Sequence, residues 1–125
     1  LPDRLHTFIA GSSMGGLMTL YAVLEYNRVF SRGAALSPSL WVAPERVSRM
    51  VRGADISPGT VLYMDYGSRE FGNHQLMDGQ FSLITRQLLE RNILLTSRIV
   101  PEGEHCEASW ERQTPFFIET LMYGL

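Results

Sequence analysis

Between residues 8 and 24 the chain passes from an apolar run into an amphipathic one through a single short corner, and that corner limits what the rest can be. Phe8-Ile9-Ala10 is short and apolar, the pattern of a strand covered on both faces. Leu17, Leu20, Tyr21 and Leu24 then recur at i, i+3, i+4 and i+7, which is one face of a helix. Between them stands Gly11-Ser12-Ser13-Met14-Gly15. A strand that becomes a helix over so short a span needs glycine where two backbone segments approach too closely for a Cβ. Gly11 and Gly15 are both read in that role. Ser13 is left at the apex, facing the free N–H groups of the first helical turn.

The same alternation continues down the chain. After a polar lead-in over 1–6, strands are predicted over 7–10, 33–36, 60–65 and 94–100. Helices are predicted over 15–26, 44–51 and 75–92, with a last helical stretch over 108–121 that Pro115 interrupts. Residues 66–73 read as a loop, and Met77, Phe81, Ile84 and Leu88 as the apolar stripe of the third helix. Asn27 is expected to close the first helix. Thr114 is expected to cap a final short helix carrying Phe116, Phe117 and Leu121. Strands alternating with helices imply right-handed crossovers and an α/β architecture: a parallel sheet of about four strands with helices on both faces.

Charge narrows the function. The 11 basic and 13 acidic residues leave a net charge of −2, which gives no footprint for nucleic acid or an anionic membrane. No apolar run approaches the length of a membrane span. The single cysteine, Cys106, excludes an internal disulfide and fits a reducing, cytoplasmic compartment. The chain starts at Leu1 rather than at methionine, so residues 1–125 are expected to form one domain that is the C-terminal half of a longer catalytic domain.

In open α/β sheets, ligands gather at the carboxyl ends of the strands. Ser13 follows the first predicted strand, Ser37, Ser39 and Trp41 the second, Asp65, Arg69 and Glu70 the third, and Glu102, Glu104 and His105 the fourth. A serine, a carboxylate and a histidine therefore meet on one edge. Gly11-x-Ser13-x-Gly15 is the pattern of a nucleophile elbow, and the chain order Ser, acid, His accompanies it in α/β-hydrolases. The residue types match the chemistry. A serine hydroxyl needs a base to take its proton, and histidine titrates near neutrality. A carboxylate fixes the imidazole tautomer. His105 is the candidate base, while His6 and His74 read as surface residues. Glu70, further out in its loop, is favoured over Asp65 as the acid. Met14 is expected to offer its backbone N–H to an oxyanion. Trp41 reads either as core or as a wall of the acyl or aryl pocket. These residues imply a small-molecule ester as substrate, and neither a metal nor an organic cofactor.

Gly-Ser-Ser-Met-Gly-Gly-Leu, Leu-Ser-Pro-Ser-Leu-Trp, Met-Asp-Tyr-Gly-Ser-Arg-Glu and Glu-Gly-Glu-His-Cys-Glu-Ala-Ser-Trp together resemble the family of α/β-hydrolases that holds siderophore, feruloyl and acetyl xylan esterases, esterase D and mycolyltransferases. The resemblance implies a serine esterase with Ser13 as nucleophile and His105 as base. It places the acid three residues after Gly67, at Glu70, where many relatives carry aspartate. It also implies an upstream half with the earlier strands and the loop that supplies a second oxyanion N–H. Without that half, the strand before Ser13 is expected to expose an edge open to self-association. A siderophore esterase, an acyltransferase and a catalytically inert fragment are the alternatives.

Overall fold

Four parallel strands lie side by side in chain order, β1 (Phe8–Ser12), β2 (Arg32–Leu36), β3 (Thr60–Gly67) and β4 (Ile93–Val100), in the computed structural model of the protein. It describes residues 3–70 and 74–125, the side chains of 74–77 excepted. Helices α1 (Met14–Glu25), α2 (Pro44–Gly53) and α3 (His74–Leu89) connect the strands, and α4 (Glu107–Glu111) and α5 (Thr114–Leu121) close the chain. The parallel α/β sandwich that the alternation predicts is the architecture found. No helix among the described residues is long and apolar enough to cross a membrane.

The sheet divides the core in two. On one face Leu20, Val23 and Leu24 of α1, Val47 and Val51 of α2, and Phe81, Ile84 and Leu88 of α3 pack over Ala35, Leu62 and Met64. On the other, Phe117 and Leu121 of α5 and Trp110 of α4 cover Phe8, Ala34, Leu36 and Tyr63. Each fully buried side chain of this size contributes about 1.5–3 kcal/mol through loss of apolar surface to water. β2 and β3 are buried along their whole length, whereas β1 and β4 form the edges and are only partly covered. The small residues of β2, poor strand formers on their own, are explained by α1. A Cβ at Gly33 would lie 2.6 Å from Val23 Cγ2 and 2.9 Å from Thr19 Cγ2.

Several boundaries differ from the sequence reading, each for a tertiary reason. β1 runs on to Ser12 because Gly11 and Ser12 pair with Ala35 and Leu36. β3 runs on to Gly67 because Tyr66 and Gly67 pair with Ile99 and Val100. The polar lead-in contains a 3₁₀ turn, Arg4–His6, whose Arg4 guanidinium donates to the Asn27 carbonyl at 2.6 Å and to Thr60 Oγ1 at 2.9 Å. Asn27 does not supply the backbone cap of α1, which is Tyr26; its side chain instead donates to the Val23 carbonyl at 3.0 Å. Thr114 is not a cap either. It is the first residue of α5, and its hydroxyl donates to the Glu111 carbonyl at 2.8 Å, across the break that Pro115 forces. The end of the predicted 66–73 loop, and the side chains of His74 and Met77, lie outside the described residues.

Candidate active site

The corner at Ser13 is built by crowding on both sides. A Cβ at Gly11 would sit 2.5 Å from the Gly15 carbonyl oxygen, so strand and helix meet there backbone to backbone. The reading of Gly15 needs correction: its own Cβ would meet nothing within 4 Å. The crowded helical glycine is Gly16, where a Cβ would lie 2.9 Å from the Leu36 carbonyl and 3.0 Å from Pro38 Cα. Ser13 pays for the turn with φ 59° and ψ −121°, a sparsely populated conformation costing about 1–3 kcal/mol. Hydrogen bonds hold it there. Its N–H donates to Leu36 O at 2.9 Å, and its carbonyl accepts from the N–H groups of Leu17 and Ser39, each at 3.1 Å. The side chain thereby stands above the sheet at the start of α1. Met14 is the first residue of that helix, so its N–H has no place in the helical ladder.

β3 and β4 reach beyond the register of β1 and β2, and the loops after them supply the other two groups. Ser12, Leu36, Asp65 and Arg98 lie level across the sheet, while Gly67 pairs with Val100 two residues higher. The two loops are fastened to each other. The N–H of Ser68 donates to Val100 O at 3.0 Å, and that of Arg69 to Gly103 O at 2.9 Å. Gly67 and Gly103 touch so closely that a Cβ on Gly67 would fall on the Gly103 carbonyl. From this double loop Glu70 and His105 turn inward. His105 Nε2 lies 2.9 Å from Ser13 Oγ, and His105 Nδ1 lies 2.7 Å from Glu70 Oε1. Glu70 is 1% exposed, so its charge is screened little by water.

Asp65, the other carboxylate weighed for this position, is engaged elsewhere. It accepts from the Ser37 N–H at 3.1 Å and from the Tyr63 hydroxyl at 2.5 Å. Burial pushes its carboxyl above the usual 3.8, against the lowering effect of those two donors, and the nearby Glu70 charge adds to the rise. The Tyr63 hydroxyl is pushed up as well, by burial first and then by Asp65. The sign of the pH dependence follows. Between the unfolded and the folded pKa of Asp65 the native state holds more protons than the unfolded state, so stability falls as pH rises through that window. Urea unfolding across a pH series should show this decline starting near pH 4, and it should be flattened in Asp65→Asn.

Trp41 lies in a 3₁₀ turn, Leu40–Val42, and is half exposed, so it is not core. That turn follows Ser39, whose hydroxyl is 3.4 Å from Ser13 Oγ. The Met14 side chain is also half exposed. Two further residues join the three-residue chain: Ser37, which the sequence places on this edge without a role, and Trp110. Ser37 Oγ donates to Glu70 Oε2 at 2.5 Å, and Trp110 Nε1 donates to Ser37 Oγ at 3.0 Å. Both lie in stretches that carry the resemblance, yet nothing in the sequence links either of them to Glu70. A glycine closing β3, Gly67, and one in the loop after β4, Gly103, are the signal in the sequence that these loops interlock.

A parallel sheet covered by helices on both faces, with a serine at a strained strand-to-helix corner, defines an α/β-hydrolase-like fold. The family described as Putative esterase matches residues 1–123, and the chain belongs to that family. Solved structures agree on the fold. A ferulic acid esterase superposes with a TM-score of 0.70 at 18% identity, covering 92% of this chain and 51% of that one. Enterochelin esterase from Shigella flexneri gives 0.70 at 20% identity, with 97% and 32% covered. In sequence, the uncharacterized protein YbbA of Bacillus subtilis (strain 168) is 29% identical over 79 residues, 62% of this chain and 31% of that protein. The chain thus spans about half, or less, of the length of these proteins.

Proposed function

We propose that this chain carries the nucleophile, base and acid of a serine hydrolase acting on carboxylic esters, and forms the C-terminal half of its catalytic domain. The observation that carries the proposal is the continuous hydrogen-bonded path from Ser13 Oγ through both nitrogens of His105 to a buried Glu70. A carboxylate only accepts, so Nδ1 bears the proton and Nε2 offers its lone pair to the serine. Ser13 Oγ attacks the ester carbonyl carbon while its proton moves to Nε2. The carbonyl oxygen becomes an oxyanion facing the Met14 N–H, with a second donor from outside these residues. Collapse breaks the bond to the alcohol oxygen, which takes the proton from Nε2, and leaves an acyl group on Ser13. Water then gives a proton to Nε2 and attacks the acyl carbon, and Ser13 leaves with that proton as the acid is released. Met14, next to Ser13 in the chain, and Trp41, in the turn after Ser39, are both half exposed and are the side chains proposed to flank the acyl group.

The full-length protein should release p-nitrophenol from p-nitrophenyl acetate in a burst stoichiometric with enzyme. An acid quench should trap the acetyl group on the peptide containing Ser13. Turnover with no adduct at Ser13 would contradict the mechanism. Adding a primary alcohol separates hydrolysis from acyl transfer: a hydrolase yields acetate, a transferase mostly the new ester.

A further inference from the structure

We propose that Ser37 and Trp110 are positioning residues for this reaction, a donor relay that turns Glu70 so that Oε1 faces His105. The inference rests on the reading of Glu70 as the acid of a Ser-His-acid site. Its basis is a count of protons. The Trp110 indole N–H can only donate, and it lies 3.0 Å from Ser37 Oγ. Ser37 Oγ accepts there, so its single proton is free for Glu70 Oε2, 2.5 Å away. The Gly67 N–H donates to the same oxygen. Oε2 thus holds two donors, and Oε1 is the oxygen presented to His105 Nδ1 at 2.7 Å.

The relay is itself held rigidly. Ser37 sits at φ 45°, fixed by its N–H on the Asp65 carbonyl at 2.9 Å and on the Asp65 carboxylate at 3.1 Å. Ser37 and Glu70 are both buried, so the charge-assisted bond between them has little competition from water. Trp110 completes the frame from the other side. Its ring meets the His105 ring edge to face, with centroids 5.0 Å apart and planes at 86°. One residue therefore touches the base directly and reaches the acid through Ser37. Loss of the Ser37 hydroxyl would leave the Trp110 N–H without its acceptor and Glu70 short of a donor.

A double-mutant cycle in the full-length protein tests this, with p-nitrophenyl acetate as substrate. S37A should lower kcat by about 10- to 100-fold, the size of one hydrogen bond to a charged group, with KM nearly unchanged. W110F keeps an aromatic ring beside His105 but removes the donor. It should lower kcat in the same direction by a smaller factor, and it carries the test if S37A does not fold. In the E70A background, either substitution should change kcat by less than about twofold, because a residue that acts through Glu70 has nothing left to orient. If the S37A or W110F factor persists in full without Glu70, the relay is wrong while the Ser-His-acid reading stands. An unchanged kcat in both single variants also overturns it. If E70A alone leaves kcat unchanged, both readings fall together.

Discussion

Replacing Ser13 with alanine should lower kcat for p-nitrophenyl acetate by about 10³- to 10⁶-fold, the range expected when an attacking oxygen is removed and only oxyanion binding remains. Stability should hardly change. The bonds that keep the corner in place come from the backbone of Ser13, its N–H on Leu36 O and its carbonyl under Leu17 and Ser39, and alanine keeps all of them. Alanine also keeps the strain, since its Cβ is equally unsuited to φ 59°. Glycine does not. Ser13→Gly should be as inactive as Ser13→Ala but melt at a higher temperature, by the share of the strain that exceeds glycine's extra conformational entropy. Two inactive variants ranked in that order by thermal unfolding would show that the corner holds a side chain in a costly backbone state. An alanine variant that retained a tenth or more of parental kcat would remove Ser13 from the reaction.

How much of this was readable beforehand differs between fold and site, for physical reasons. The alternation of short apolar runs with helical periodicity carries the parallel sheet, because strands buried on both faces must be apolar throughout. Boundaries were less visible. Gly11, Ser12, Tyr66 and Gly67 are strand residues because neighbouring strands pair with them, which no local preference encodes. Ser13, Glu70 and His105 can be picked out because a glycine corner marks the serine and all three follow predicted strands in the order serine, acid, histidine. Between Asp65 and Glu70, sequence offers only reach along the loop and the spacing from Gly67 that the resemblance implies. The structure adds that Asp65 lies level with Leu36 and Arg98, below the double loop, and has the Ser37 N–H and the Tyr63 hydroxyl as partners. Ser37 and Trp110 both stand in the stretches that carry the resemblance, but their link to Glu70 is not legible there, because the hydrogen bonds that make it span long stretches of chain. Sequence shows that a glycine is present, not which backbone meets it, so the crowding falls on Gly11 and Gly16 and not on Gly15.

The largest loss of stability from a single added methyl group is expected at Gly67. A Cβ there would overlap the Gly103 carbonyl, and that carbonyl cannot move aside freely because it accepts the Arg69 N–H at 2.9 Å. Gly103 is also anchored through its own N–H on Val100 O at 3.0 Å. Relief therefore requires the loops after β3 and β4 to separate, which breaks the bonds between them and exposes Glu70. Gly67→Ala should cost about 3 kcal/mol or more, at the severe end for overpacking, in urea unfolding of the full-length protein. It should also lower kcat at least as much as loss of the Ser37 hydroxyl, since the same movement draws Glu70 away from His105. The contrast with Ser13→Ala is diagnostic: one variant loses turnover alone, the other loses turnover and stability together. Gly79→Ala, in α3 where an added Cβ meets nothing within 4 Å, is the control and should raise stability by about 0.5–1 kcal/mol. If Gly67→Ala unfolds at the same urea concentration as the parent, the two loops are not locked by that contact, and the distance from Glu70 to His105 must be held by something other than the meeting of two glycines.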